Sequence, residues 1–179
     1  MEHKNLDVKF LKHKIINLLN LAGTIADKRI ISYKSKKSTN FKNNEGKVYQ
    51  KFDELFNGHD LITQISNKSY VERVLKEKRL NGLPLLFAGF LFFKTITKPG
   101  FFTTYNNYSI KLFATCLQLS QKFYFDRPFS AKFMCQLLGV STKKLLKREI
   151  FIYGDNVLNY DLEIENKSIK KFIKFLGTL

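Results

Sequence analysis

Residues 109 to 124 read Ser-Ile-Lys-Leu-Phe-Ala-Thr-Cys-Leu-Gln-Leu-Ser-Gln-Lys-Phe-Tyr, and the chain continues from 123 to 130 as Phe-Tyr-Phe-Asp-Arg-Pro-Phe-Ser. Ile110, Phe113, Ala114, Cys116, Leu117, Leu119 and Phe123 recur so closely that apolar side chains cover most of a helical surface, which predicts a mostly buried helix. Lys111, Gln118, Gln121 and Lys122 interrupt it, and a polar group in such a helix needs a partner. Pro128 and Ser130 start a short helix that ends at Gly139, because glycine suits the left-handed residue past a helix end. Ser141 caps the next helix, where Leu145, Leu146, Ile150 and Ile152 alternate with Lys143, Lys144, Lys147 and Arg148 around one acid, Glu149. Gly154-Asp155-Asn156 should weaken or kink it.

Outward from this centre the helical periodicity continues. Leu6, Phe10, Leu11, Ile15, Leu18, Leu19, Ala22 and Ile25 form one apolar stripe on a helix predicted from about 6 to 27, which should dock on the rest through Phe10, Ile15 and Leu19. Residues 28 to 51 carry eight Lys/Arg against one Glu and few aliphatics after Ile31, which predicts a flexible basic loop dispensable for folding. Ser66 caps a helix predicted to reach about Lys78. Pro84 opens another, apolar on nearly every side through Phe93 and stopped by Pro99-Gly100. A last basic amphipathic helix spans about 167 to 176, with Ile169, Phe172, Ile173 and Leu176 on one side.

A chain of 179 residues, 44% hydrophobic, can bury one core and is short for two. Eighteen Phe, with only 9 Gly and 3 Pro, favour helices packed through large apolar side chains over a turn-rich β architecture, so the predicted class is all-α. The expected organisation is an N-terminal helix (1–27), the basic loop (28–51) and one helical domain (52–179). A formal charge of +16 admits an acidic partner without choosing among nucleic acid, a membrane surface and a protein face. Residues 1 to 60 contribute +5 and the remainder +11, so the charge is spread along the chain. Cys116 and Cys135 stand alone, without CxxC spacing or a neighbouring His, so neither a disulfide framework nor a zinc site is expected. No signal-peptide order opens the chain, and its longest apolar run, Leu85 to Phe93, is far below the roughly 20 residues of a membrane span. A cytoplasmic or nuclear protein without membrane contact is expected. Phosphate loops, nucleophile elbows, metal-ligand spacing and a His with a placed carboxylate are all missing, and His3, His13 and His59 are scattered, so neither enzymatic activity nor a cofactor is expected.

Five predicted helices between Ser66 and about Leu158, the third central and apolar, resemble a cyclin box, most closely that of the PCL-like (P/U-type) cyclins of phosphate- and stress-regulatory kinases. Ile65-Ser66 followed after three residues by Tyr70-Val71-Glu72-Arg73-Val74 is similar to that group's Ile-Ser-x-x-x-Tyr-Leu-x-Arg-Ile. Ser120 to Asp126 resembles its Ala-Ser-Lys-Phe-Tyr-Asp-Asp. Leu137-Leu138-Gly139-Val140-Ser141 stands where Val-Gly-Gly-Ile-Ser is usual, and Leu145 with Glu149 keeps the Leu-x-x-x-Glu spacing. Phe92 and Phe93 replace the family's Asp, the expected partner of Arg73. Ile110-Lys111 replaces a frequent His-Arg, and about two extra residues fall near Gly154.

The resemblance implies a regulatory subunit that forms a heterodimer with a cyclin-dependent protein kinase and holds that kinase's C helix inward, with Arg73 and Gly139 in structural roles. It makes Lys122 and Glu149 the pair that grips the kinase, an ammonium for exposed carbonyls and a carboxylate for backbone N–H groups. A local account competes, with Lys122 snorkelling at a helix end and Glu149 offsetting the neighbouring lysines. Phe123, Phe133 and Met134 are kinase contacts on the same resemblance and core residues on spacing alone. The basic run 143–148 is either a dock for an acidic surface or a solvated face. The alternative function is a nucleic-acid-binding helical adaptor like transcription factor IIB, for which dispersed lysines give weak, salt-sensitive, non-specific attraction to phosphates.

Overall fold

The helix expected over 109–124 forms the centre of the molecule. The computed structural model describes residues 7 to 35 (side chains as far as Ala22), 51, 54 to 56, 66 to 97, 108 to 154 and 157 to 179. Within them run α1 (Val8–Ser35), α2 (Asn67–Val74), a 3-10 turn (Lys78–Leu80), α3 (Leu83–Ile96), α4 (Tyr108–Tyr124), α5 (Ala131–Leu138), α6 (Thr142–Tyr153) and α7 (Asn166–Thr178). No strand occurs among the described residues, so the class is all-α. Five of these helices lie between Ser66 and Leu158, as the periodicity predicted.

Every residue of α4 from Tyr108 to Gln121 is buried. α3 packs along it, α6 and α1 cover other sides, and α1 also touches α2, α3 and α7. Polar groups in α4 are mostly satisfied locally or by neighbours. Thr115 Oγ1 donates to the Lys111 carbonyl at 2.9 Å, and Ser120 Oγ to that of Leu117 at 2.8 Å. Lys111, which the periodicity left unexplained, extends its ammonium to the Phe56 carbonyl at 2.6 Å. Arg148 of α6 makes the matching contact, Nε to the Leu55 carbonyl at 2.8 Å with its guanidinium 5.2 Å from the Phe56 ring centre. Two buried cations thus fasten the helical residues 54 to 56 against α4 and α6.

α1 docks through Leu11, Ile15, Leu18, Leu19 and Ala22, all buried. Its approach to α3 is closest at Gly89, where a Cβ would meet Ile15 Cδ1 at 2.3 Å. Asn67 Nδ2 donates to Asn20 Oδ1 at 2.7 Å, and Lys12 pairs with Glu72 at 3.1 Å, fixing α1 against α2. Asn17 reaches the Leu179 carbonyl at 3.0 Å, which ties α1 to the end of α7. The Phe93 ring contacts those of Phe172 and Phe175 of α7 in tilted arrangements, with centroids 5.4 and 4.8 Å away.

Helix starts follow the sequence closely. Ser66, Ser130 and Ser141 each accept a bond from the backbone N–H three residues on, and Pro84 sits in the first turn of α3. Gly139 is left-handed, with φ 67°, and closes α5 through a bond to the Cys135 carbonyl.

Four expectations are corrected. The backbone of α1 continues to Ser35, so residues 28 to 35 of the loop predicted from 28 to 51 are helical; no Pro or Gly between 24 and 35 stops the helix. Residues 36 to 50 lie outside the described residues. α2 ends at Val74 instead of near Lys78, because the 3-10 turn, capped by Glu77, swings Leu80 into the core. Phe10 does not dock: it is 44% exposed, one helical position away from the stripe of Leu11 and Ile15, with Lys14 over its ring. Arg148 belongs to the interior and not to a solvated face.

Candidate interaction face on α4 and α6

Lys122 lies in the last turn of α4 and Glu149 near the middle of α6, 27 residues apart in sequence. The structure joins them in a direct ion pair, the Lys122 ammonium on Glu149 Oε2. The two ends differ. The Glu149 side chain is 8% exposed and that of Lys122 38%, so the carboxylate is embedded while its cation reaches solvent. Sequence alone treated both as surface groups; burial of Glu149 corrects that, since its helix turns Leu145, Arg148, Phe151 and Ile152 inward on either side of it.

Next to this pair lies exposed apolar surface. Leu146 (50% exposed), Ile150 (64%) and Tyr153 recur at i, i+4 and i+7 on α6, which places them on one face. The Tyr153 ring contacts Phe123 at 5.0 Å and Tyr160 edge-on at 5.1 Å, extending the face onto the end of α4 and the turn after α6. Phe123 is itself 48% exposed. The turn is strained: Asn159 and Tyr160 both have positive φ, 51° and 59°, an unfavourable conformation for a bulky residue such as tyrosine. Its backbone is nevertheless bonded, Tyr160 N–H to the Tyr153 carbonyl at 2.8 Å and Asn159 N–H to that of Gly154 at 2.9 Å. Gly154 ends α6 in an extended conformation, where a Cβ would meet the Ile150 carbonyl at 2.9 Å. The glycine expected to kink the helix therefore terminates it.

Grouped exposed aromatics and aliphatics on rigid helices are the usual mark of a protein-binding surface. Sequence reasoning took Leu146 and Ile150 for part of one apolar face and passed over Tyr153 and Tyr160. The signal was present: Leu145 and Ile152 form one stripe, and Leu146, Ile150 and Tyr153 a second that cannot face the same core.

The other candidates are placed differently. Met134 is fully buried in the core and has no surface to offer a partner. Phe133 is half-buried and stacks on Phe129 at 4.7 Å and 23°. Arg73 is exposed and donates from Nη2 to the Gln136 carbonyl at 3.1 Å, compensating the negative end of α5. An acidic partner is replaced by a carbonyl, since Phe92 packs on Phe113 in the core. Lys143, Lys144 and Lys147 are exposed along α6.

Burial pushes the thiol of Cys116 well above the usual range, with its interaction with the Thr95 hydroxyl opposing it. Tyr124 is pushed up by burial and then by Asp161 and Cys116; its hydroxyl donates to the Leu162 carbonyl. Among the described residues no group of three His, Cys, Asp or Glu side chains could hold a metal ion, and no helix is long and apolar enough to cross a membrane. Comparison with protein-family models and with curated protein sequences finds no match to this chain.

Proposed function

We propose that this chain is a cyclin-type regulatory subunit that binds a cyclin-dependent protein kinase and activates it by positioning the kinase's C helix. The observation that carries the proposal is the pairing of Lys122 with Glu149 beside the exposed stripe of Leu146, Ile150, Tyr153 and Phe123. The competing local account, in which Glu149 offsets nearby lysines, accommodates the ion pair as well, but it leaves the exposure of Leu146 and Ile150 without a use. On the proposal, the apolar stripe supplies buried area, and the embedded carboxylate and its half-exposed ammonium supply orientation against a partner helix.

The division of labour follows from burial. Glu149 is held by α6 and cannot leave without exposing its neighbours, so it is the fixed element. Lys122, more than a third of whose side chain is already solvated, can turn outward to a carbonyl of the partner, with backbone N–H groups of the partner taking its place on the Glu149 carboxylate so that this embedded charge is not left bare. Catalysis stays with the kinase, whose own Lys–Glu pair is completed when its C helix is held inward.

The test is affinity purification of the tagged chain from its native cell, followed by a phosphotransfer assay on the captured material. A protein kinase whose activity depends on the chain supports the proposal. Nucleic acid as the principal captured partner, retained at physiological salt, would favour the adaptor alternative.

A further inference from the structure

A cavity of about 340 Å³ opens where the end of α4 leads towards α5, lined by Arg79, Gln121, Phe125, Asp126, Arg127 and Phe129. None of these residues belongs to the α4–α6 face, and the cavity has no role in the function proposed above. Its donors are unusually well placed. The Arg79 guanidinium lies 4.0 Å over the Phe129 ring, which itself stacks on Phe133, so a three-layer stack fixes the plane of the guanidinium and dries one of its faces. Glu77 takes the Nε and Nη2 edge at 3.0 and 3.4 Å, leaving Nη1 without a protein acceptor among the described residues. Arg127 is exposed and forms no ion pair with another described residue. Gln121 is 3% exposed, and its Nε2 is enclosed without an acceptor.

A buried amide donor with nothing to donate to is rare in folded proteins, and this one belongs to a residue of the cavity wall, so that a turn of the Gln121 side chain would offer it to an acceptor in the cavity. Two guanidinium groups with free N–H edges ask for the same thing, an oxygen-rich anion. Asp126 sets the limit: this one carboxylate in the lining, with Glu77 against the far edge of Arg79, formally balances the two guanidinium charges. A polyanion gains little here, whereas one compact anion that accepts several hydrogen bonds at once fits the volume and the donors. The geometry points to an oxyanion site that takes a phosphate monoester or free phosphate, with Arg79 and Arg127 as charged donors and Gln121 as the neutral one.

The experiment uses the full-length, isotope-labelled chain at constant ionic strength, titrated separately with inorganic phosphate and with a short phosphoserine peptide, following the Gln121 side-chain amide by NMR. A saturable shift of that amide is the expected result; tighter binding of the peptide identifies a phosphorylated chain as the ligand, and equal or tighter binding of inorganic phosphate identifies the free anion. Arg127→Gln should weaken binding by about tenfold or more, as loss of a charge-assisted hydrogen bond implies. Gln121→Met, which removes the unpaired amide at similar volume, should keep the melting temperature while weakening binding, read in this variant from the backbone amides of Arg127 and Phe129. Lys143→Gln should leave binding unchanged. No saturable shift with either probe, or equal losses from Arg127→Gln and Lys143→Gln, would overturn the assignment.

Discussion

Removing the ammonium of Lys122 should cost more stability than removing the carboxylate it holds. Lys122→Ala strands the Glu149 carboxylate, 8% exposed, with no other cation paired to it among the described residues, whereas Glu149→Ala leaves an ammonium that is 38% exposed and can turn to water. Exposed pairs contribute about 0.2–1 kcal/mol, and removing one partner of a fully buried pair costs about 3–5 kcal/mol. With one end embedded and the other partly solvated, Lys122→Ala should cost about 2 kcal/mol and Glu149→Ala about 1 kcal/mol. For a chain of this size that corresponds to losses of about 4–8 °C and about 2–4 °C in melting temperature. The double variant should be less destabilised than the two single losses added together, with a coupling of about 1 kcal/mol, because the stranded carboxylate is gone. Lys143→Ala, on the exposed side of α6, should stay within about 0.5 kcal/mol of the parent. Thermal and urea unfolding of all four proteins at neutral pH decides it. Equal losses in the two single variants, or a Lys122→Ala protein that melts with the parent, would refute the asymmetry derived from burial.

Further outcomes follow from the interior. Tyr70 is buried with no hydrogen-bond partner for its hydroxyl among the described residues, and burial, opposed by Arg73 and Arg148, holds its ionisation above the ordinary tyrosine range. The folded state therefore keeps a proton that the unfolded chain releases above about pH 10, so stability falls as pH rises past that value, by up to about 1.4 kcal/mol per pH unit. Tyr70→Phe should lessen this alkaline loss and change neutral stability by less than about 0.5 kcal/mol, checked by urea unfolding at neutral and alkaline pH; a clear neutral loss would mean that the hydroxyl is bonded. Gly139→Ala should cost about 1–2 kcal/mol, because φ there is 67° and an alanine must adopt the left-handed conformation; an unchanged melting temperature would contradict that geometry.

Much of the fold was legible because α-helices announce themselves by capping and period. Ser66, Ser130 and Ser141 mark three starts, Pro84 a fourth and Gly139 an end, and the all-round apolar stretch of α4 is the buried centre. What failed was tertiary in origin. Nothing local distinguishes Arg148 from Lys147, yet one side chain is drawn inward by the carbonyl of Leu55 and the other stays in water. Leu80 ends α2 early because the core admits it only through a 3-10 turn. The candidate site divides along the same line. Lys122 and Glu149 could be named from a resemblance in sequence, but only the crossing of α4 and α6 brings them into contact and shows which of the two is embedded. Met134 was lost as a contact for the converse reason, since a helix of eight residues with a strong apolar side turns its largest flexible side chain into the core.

The most direct measurement captures the kinase with and without the apolar stripe. Wild-type chain and a Leu146→Asp/Ile150→Asp variant, both substituted at positions at least half exposed and verified to melt alike, are used as bait in parallel, and captured kinase activity is quantified. The account predicts a protein kinase activated by the wild-type chain and a loss of at least about tenfold in its capture by the variant, since two apolar contacts at an interface centre are replaced by charges. Equal capture by both baits would contradict the assigned face, and capture of no protein kinase by either would contradict the proposed function itself.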